Sequence, residues 1–186
     1  MAIYHCSIQN ISRSDGRSIV ACAAYRAGEK LECDTYGKLQ DYTRKTGIEY
    51  TQIFAPSGAN LDLLDRQKLW NAVEQAELKK DGSIKQEARL AKEVEIALPH
   101  ELGKAQRQAL VTELCQSLVK AYGVAVDVAI HAPHVHGGSD DRNFHVRFKE
   151  PRSVSTNKSY TISYQTDFDY RRNDLSNRNQ QCSDRH

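Results

Sequence analysis

The stretch VAVDVAIHAP, residues 124–133, carries the strongest β-strand pattern in the chain. Its branched aliphatic side chains alternate onto one face, whereas Asp127 and His131 fall on the opposite face. A second strand, NFHVRF at 143–148, follows after a loop that contains glycine and aspartate. If the two strands are antiparallel neighbours, His131 and His145 lie together on one sheet face. This strand pair is the centre from which the rest of the chain can be assigned.

Strands and helices alternate along the chain before this pair. We predict strands at 2–9, 48–56 and 92–98, a hairpin around 36–38, and helices at 17–28, 65–80 and 103–122. Gly28 is expected to end the first helix, and Leu110, Leu114 and Leu118 are expected to form the buried stripe of the third. The interleaving predicts an α+β or α/β sandwich with a helical layer and one open sheet face.

Composition limits the classes of protein that need to be considered. Of the 186 residues, 39% are hydrophobic, which is enough for one core. The net charge is only +2, which excludes a protein whose partner is selected by bulk charge. No apolar run reaches the length of a membrane span, and MAIYHCSIQN lacks the features of a signal peptide, so a cytoplasmic protein is expected. The five widely spaced cysteines are expected to be reduced thiols.

The C-terminal part of the chain differs from the rest. Residues 148–186 contain few branched aliphatic side chains and carry the whole net charge of +2, whereas residues 1–147 sum to zero. Such a segment buries too little apolar surface to offset its ordering entropy. We therefore predict a folded domain at 1–147 and a polar, poorly ordered tail at 148–186.

The histidines point to a site on the predicted strand pair. Neutral imidazoles of His131 and His145 could hold a divalent metal ion, with Asn143 on the same face as His145 and Asp127 orienting a ligand. His134 and His136 equally fit a solvated loop. Glu93 and Glu95 share one face of the 92–98 strand, as either a solvated or a functional face.

Several motifs in order resemble the MobA/MobL family of plasmid mobilisation relaxases, including the N-terminal domain of Ti-plasmid-type conjugative proteins. The resemblance rests on MAIYH, ISRSDGRSIVACAAYRAGEKL, DYTRKTG, LWNAVEQAE, LAKEVEIALP, AIHAP and RNFHV, and covers about residues 1–147. It implies an HUH endonuclease fold, an antiparallel sheet flanked by helices. It also implies an enzyme that nicks one DNA strand at a plasmid transfer origin through a 5'-phosphotyrosine.

The resemblance also assigns roles to residues. It places the nucleophile at Tyr25, within AAYR, although a tyrosine at this position could equally serve packing, and the metal histidines at His131 and His145 with Mg²⁺ or Mn²⁺ as the ion. From their strand faces, and not from the resemblance, Glu93, Glu95, Asp127 and Asn143 are expected to support the site or act as acid or base. The DNA would be single-stranded or a hairpin, with accessory relaxosome proteins as further partners. The DNA-binding candidates are Arg13, Arg17, Arg26, Arg44 and Lys45, each of which could instead be a solvated charge.

One departure from the family pattern lies at the predicted metal site. The family motif N-x-H-x-H reads here Asn143-Phe144-His145-Val146-Arg147, and a guanidinium cannot ligate a metal. His134 or His136 could supply a substitute ligand. Because the sequence turns polar at the same point, we expect an incomplete C-terminal end, from a frameshift or rearrangement near codon 147. Two alternatives to a nickase are a DNA-binding remnant that does not cut, and a histidine–metal storage module.

Overall fold

The computed structural model describes residues 5–16, 18–133, 140 and 142–151. The strands are β1 (Cys6–Ser12), β2 (Lys30–Cys33), β3 (Lys38–Asp41), β4 (Ile48–Phe54), β5 (Arg89–Ala97), β6 (Val126–His131) and β7 (His145–Pro151). The α-helices are α1 (Ile19–Ala27), α2 (Arg66–Ala76) and α3 (Lys104–Tyr122), with 3-10 turns at Arg13–Asp15 and Leu61–Leu64. None of the described helices is long and apolar enough to cross a membrane.

Five strands form one sheet in the order β1-β5-β7-β6-β4, and all four pairings are antiparallel. Strands β2 and β3 form a separate hairpin between α1 and β4. The chain therefore has an α+β fold with an antiparallel sheet flanked by helices, as the sequence predicted. Strand β7, near the end of the described chain, lies in the middle of the sheet between β5 and β6.

One face of the sheet is apolar and is covered by α3. Val128 and Ile130 of β6 and Val146 and Phe148 of β7 are buried there. The fully buried side chains of α3 are Arg107, Val111 and Cys115. The predicted leucine stripe is confirmed for Leu114 and Leu118, which are partly buried against this core, and is wrong for Leu110, which is 44% exposed. The guanidinium of Arg107 pairs with Glu49 at 2.6 Å.

The opposite face of the sheet is unusually polar. Two adjacent rows cross it: Asp127, Lys149 and Glu93 lie side by side in one row, and Arg147 and Glu95 in the next. Helices α1 and α2 bury the first row, where all three charged side chains are at most 8% exposed. The prediction of one open sheet face is therefore wrong along that row. The third row of this face, His131 and His145, lies toward the other end of the strands.

The ends of several predicted elements need correction. β1 continues to Ser12 rather than ending at residue 9, whereas residues 2–4 of the predicted strand lie outside the described residues. α2 ends at Ala76 rather than near 80. The domain boundary at residue 147 is also wrong, because β7 continues to Pro151 and Phe148, Lys149 and Pro151 are buried. Paired on both edges by β5 and β6, these residues belong to the sheet and cannot be tail.

Candidate functional site

Tyr25 is presented at the end of α1. Ser18 caps the start of this helix by accepting a hydrogen bond from the Ala21 amide, and Gly28 ends it in the left-handed conformation at φ 66°. This places Tyr25 in the last turn, where it is 46% exposed although α1 itself is largely buried. Its ring meets the edge of Tyr42 with 5.3 Å between centroids. An accessible phenol is thus held on a well-anchored helix end.

A lysine lies directly against this tyrosine. The Nζ of Lys45 is 3.8 Å from the centroid of the Tyr25 ring and donates a 2.8 Å hydrogen bond to the Tyr25 carbonyl. Burial, together with the nearby charges of Arg26 and Arg147, lowers the pKa of Lys45 to about 8. The cation–π contact keeps a positive charge beside the phenol.

The two histidines expected to meet do so. His131 and His145 are paired across β6 and β7, with 5.3 Å between ring centroids and the rings nearly perpendicular. The Nε2 of His131 donates to the carbonyl of Arg26 at 2.9 Å, and the Nδ1 of His145 lies 3.3 Å from the carbonyl of Asn143. The site is thereby tied to α1, because Arg26 follows Tyr25 in the chain.

Burial disfavours the cationic form of both imidazoles. Burial lowers the pKa of His131 to about 3, a direction that Lys45, His145 and Arg147 reinforce. Burial also lowers the pKa of His145, with a further contribution from Arg147. Since a carbonyl can only accept, Nε2 of His131 and Nδ1 of His145 must carry the protons. Each ring keeps one unprotonated nitrogen, Nδ1 in His131 and Nε2 in His145.

These residues do not fit a complete three-ligand metal site. The described residues contain no group of three His, Cys, Asp or Glu side chains that could hold a metal ion. Arg147 follows His145 on the same strand face and forms an ion pair with Glu95 at 2.8 Å. A guanidinium has no lone pair to donate. His134 and His136, the predicted substitutes, lie outside the described residues.

The two predicted acidic residues of β5 are engaged by arginines. Glu93 is buried and accepts hydrogen bonds from Arg26 at 2.6 Å through both oxygens and from Gln9 at 2.7 Å. Burial raises its pKa, but the bonds and charge of Arg26 outweigh that effect and hold it below its ordinary value. A role for Glu93 as acid or base stays a prediction. It positions Arg26, whose carbonyl binds His131, while Glu95 holds Arg147.

Asp127 does not orient a histidine ligand, contrary to the prediction. Its carboxylate accepts two hydrogen bonds from Arg66, at 3.1 and 2.8 Å through Oδ1, and one at 2.7 Å from the indole of Trp70. Arg66 also pairs with Glu29. Asp127 lies four residues before His131 and beneath α2. The alternation of side chains along the strand therefore predicted the correct sheet face for Asp127 but the wrong partner. Asn143 is exposed and acts through its backbone carbonyl.

The five DNA-binding candidates separate into three groups. Arg13 is 3% exposed and forms a buried ion pair with Glu74 at 2.7 Å, so its assignment to DNA is wrong. Arg26 is paired with Glu93 and keeps 16% of its side-chain surface exposed, so its DNA contact stays a prediction. Arg44 is exposed, and Lys45 is half-buried beside Tyr25, so both remain candidates. Arg17 lies outside the described residues.

Sequence reasoning placed Arg147 at the site but missed its ion pair with Glu95, and it missed that Lys149 is buried. The signal was present, because residues 145, 147 and 149 alternate onto one face of β7. It also missed the contact of Tyr42 with Tyr25, for which the sequence offers no local signal.

Comparison with known proteins identifies the lineage. The sequence model of the MobA/MobL family matches residues 17–181. The chain belongs to the MobA/MobL family. It is 44% identical over 133 residues to mobilization protein MobL of Acidithiobacillus ferridurans, which covers 72% of this chain and 33% of that protein. It is 35% identical to conjugal transfer protein TraA of Rhizobium radiobacter, covering 73% of this chain and 13% of that protein. The chain thus spans a third or less of these relatives.

A solved structure has the same fold as this MobA/MobL chain. It is described as the molecular basis of vancomycin resistance transfer in Staphylococcus aureus and aligns with a TM-score of 0.74 at 23% identity, covering 92% of this chain and 86% of that one. The family match to residue 181 contradicts the expectation that similarity ends near residue 147. It also removes the argument for a frameshift at that codon, which rested on that ending.

Proposed function

We propose that this chain initiates plasmid mobilisation by cutting one DNA strand at a transfer origin, with Tyr25 as the nucleophile. The observation that carries the proposal is an exposed tyrosine at a capped helix end, with Lys45 against its ring and His131, the partner of His145, bound to the carbonyl of the next residue, Arg26. Membership of the MobA/MobL family and similarity to named mobilization and conjugal transfer proteins support it.

The proposed step is a transesterification. The oxygen of Tyr25 forms a bond to phosphorus as the bond from phosphorus to the 3' oxygen breaks. Tyr25 gives up its phenolic proton, and the departing 3' oxygen takes up a proton to become a hydroxyl. The 5' phosphate stays on the tyrosine. Because one phosphoester replaces another, the reverse reaction can rejoin the strand without a nucleotide cofactor.

The proposed DNA ligand is a single strand or a melted hairpin. Tyr25 and Tyr42 offer aromatic rings close together, Lys45 brings positive charge against the Tyr25 ring, and Arg44 is an exposed cation next to Lys45 in the chain. Aromatic stacking combined with cations is the usual way to hold unpaired nucleotides. Accessory relaxosome proteins remain proposed partners. Binding of a divalent ion, Mg²⁺ or Mn²⁺, stays a prediction, because the two described histidines alone do not supply a complete set of ligands.

The proposal is tested by trapping the covalent product. Fluorescent single-stranded fragments that tile the plasmid encoding the chain are incubated with the purified protein, with Mn²⁺ and separately with EDTA. We expect a denaturation-resistant protein–DNA adduct with one fragment, lost in Tyr25→Phe. Tyr122→Phe is the matched control, since Tyr122 is 41% exposed at the far end of α3. An adduct that survives Tyr25→Phe contradicts the proposal.

A second function is supported by Arg147. A guanidinium at the third histidine position favours a protein that binds origin DNA without cutting it. In that case one fragment binds tightly and specifically, but no adduct forms with either Mn²⁺ or EDTA. The same experiment therefore separates the two functions.

A further inference from the structure

Positive charge converges where the family pattern would place a metal ion. Arg147 projects from the sheet next to the row of His131 and His145. Lys45 approaches from the loop after β3 and contacts Tyr25. His131 bonds to the carbonyl of Arg26 at 2.9 Å, and Lys45 bonds to the carbonyl of the preceding residue, Tyr25, at 2.8 Å. These groups therefore share one small region.

That convergence opposes a divalent cation. Two positive charges already border the histidine pair, and neither can act as a ligand at neutral pH. A divalent ion there would be repelled by both. The same arrangement attracts an anion, because the guanidinium and the ammonium can both donate hydrogen bonds to phosphate oxygens.

Arg147 is held in place by an ion pair but keeps a hydrogen-bond donor that has no partner among the described residues. Its Nη2 pairs with Glu95, while its buried Nε has no hydrogen-bond partner among the described residues. The side chains of Arg147 and Glu95 keep 24% and 21% of their surface exposed. The guanidinium of Arg147 is therefore positioned by one carboxylate, and its exposed part can still donate hydrogen bonds to a ligand.

We propose that the guanidinium of Arg147, positioned by Glu95 and accompanied by Lys45, binds the phosphodiester beside Tyr25 in place of a divalent metal ion. The inference rests on the proposed function for the identity of the ligand as single-stranded DNA. It differs from that function in assigning the phosphate contact to a protein side chain and in requiring no metal for binding.

The first test measures binding of a fluorescent oligothymidylate in EDTA by anisotropy. Arg147→Gln should weaken binding about tenfold and lower the slope of log Kd against log salt by about 0.7, the value for one phosphate contact to a single strand. The matched control is Lys120→Gln, which removes one positive charge at the exposed end of α3. If Arg147→Gln binds like Lys120→Gln, the inference is overturned.

A second variant guards against loss of folding in Arg147→Gln. Glu95→Gln keeps the shape of the side chain but frees the guanidinium from its carboxylate. We expect Glu95→Gln to tighten binding severalfold, and to do so much less in the Arg147→Gln background. A purely structural ion pair predicts weaker binding in both single variants, and that result refutes the inference.

Metal dependence separates this inference from the proposed function. We expect wild-type binding in EDTA to be unchanged by added Mn²⁺. Binding that appears only with Mn²⁺ overturns the inference while leaving cleavage by Tyr25 open. Conversely, if no Tyr25 adduct forms but Arg147→Gln weakens DNA binding as expected, cleavage is refuted and the phosphate site at Arg147 is supported.

Discussion

Replacing Lys149 by methionine should stabilise the protein. Lys149 lies in the centre of β7, is 2% exposed, and its Nζ has no hydrogen-bond partner among the described residues. The nearest aromatic ring, that of Trp70, is 5.9 Å from the ammonium. Methionine has a similar length and volume without the charge, so Lys149→Met keeps the packing and removes the desolvation penalty.

The size of the gain follows from the pKa of Lys149. Burial lowers this pKa from 10.5 to about 8, against the opposing influence of Cys22, Glu93 and Asp127. The difference corresponds to about 3 kcal/mol against the charged form in the folded protein at neutral pH. Part of that is offset by packing adjustments, and we expect Lys149→Met to raise the free energy of unfolding by about 1–3 kcal/mol.

The lowered pKa of Lys149 also predicts how the free energy of unfolding depends on pH. Between pH 8 and 10.5 the unfolded chain holds a proton on Lys149 that the folded chain has released. Stability contributed by this group therefore rises with pH across that window. Other groups titrate there too, since burial raises the pKa of Cys115 to about 12. The difference between wild type and Lys149→Met isolates the lysine, and that difference should shrink as pH rises.

The assay is urea unfolding followed by circular dichroism at neutral pH and near pH 10. Lys38→Met is the control, because Lys38 is an exposed lysine on strand β3 and its replacement should change stability by less than about 0.5 kcal/mol. A Lys149→Met variant less stable than wild type would refute the reasoning. It would mean that attraction to Glu93 and Asp127 exceeds the desolvation penalty.

Three further changes have expected outcomes. Glu74→Gln should lower the free energy of unfolding by about 3 kcal/mol in urea titrations, because it leaves the charge of Arg13 buried without its counterion. Gly28→Ala should lower the thermal midpoint, because φ is 66° and the new Cβ would lie 2.3 Å from Cδ1 of Ile48. Because the pKa of Glu93 is depressed, its contribution is present above pH 4.5 and is lost as pH falls below it, so Glu93→Gln should flatten the acid limb of a stability–pH curve.

The sequence predicted the parts of the fold that depend on local pattern. The alternation in 124–133 gave both faces of β6 correctly, and the spacing to His145 gave the paired histidines. Gly28 ends α1 as expected, because a left-handed residue after a helix strongly favours glycine. These features depend on neighbours a few residues apart or on one strand pairing.

What the sequence did not predict depends on distant partners. Arg13 was assigned to DNA as a polar-loop cation, yet it pairs with a carboxylate 61 residues away. Asp127 was assigned to the histidines on periodicity, although Arg66 and Trp70 approach it from α2. Buried charges need partners, and nothing local in the sequence identifies which element brings them. The same limit hid the role of Arg147 opposite Glu95.

The central position of β7 has a consequence for how the protein is made. Before His145–Pro151 leaves the ribosome, β1 can pair with β5 and β4 with β6, but no hydrogen-bonded strand pairing among the described strands joins the two pairs. Until its last described strand is synthesised, the nascent chain therefore exposes the apolar faces of two separate strand pairs. Such late, long-range closure slows folding and exposes the chain to aggregation. Co-translational chaperone dependence is the expected outcome for a sheet completed from its middle.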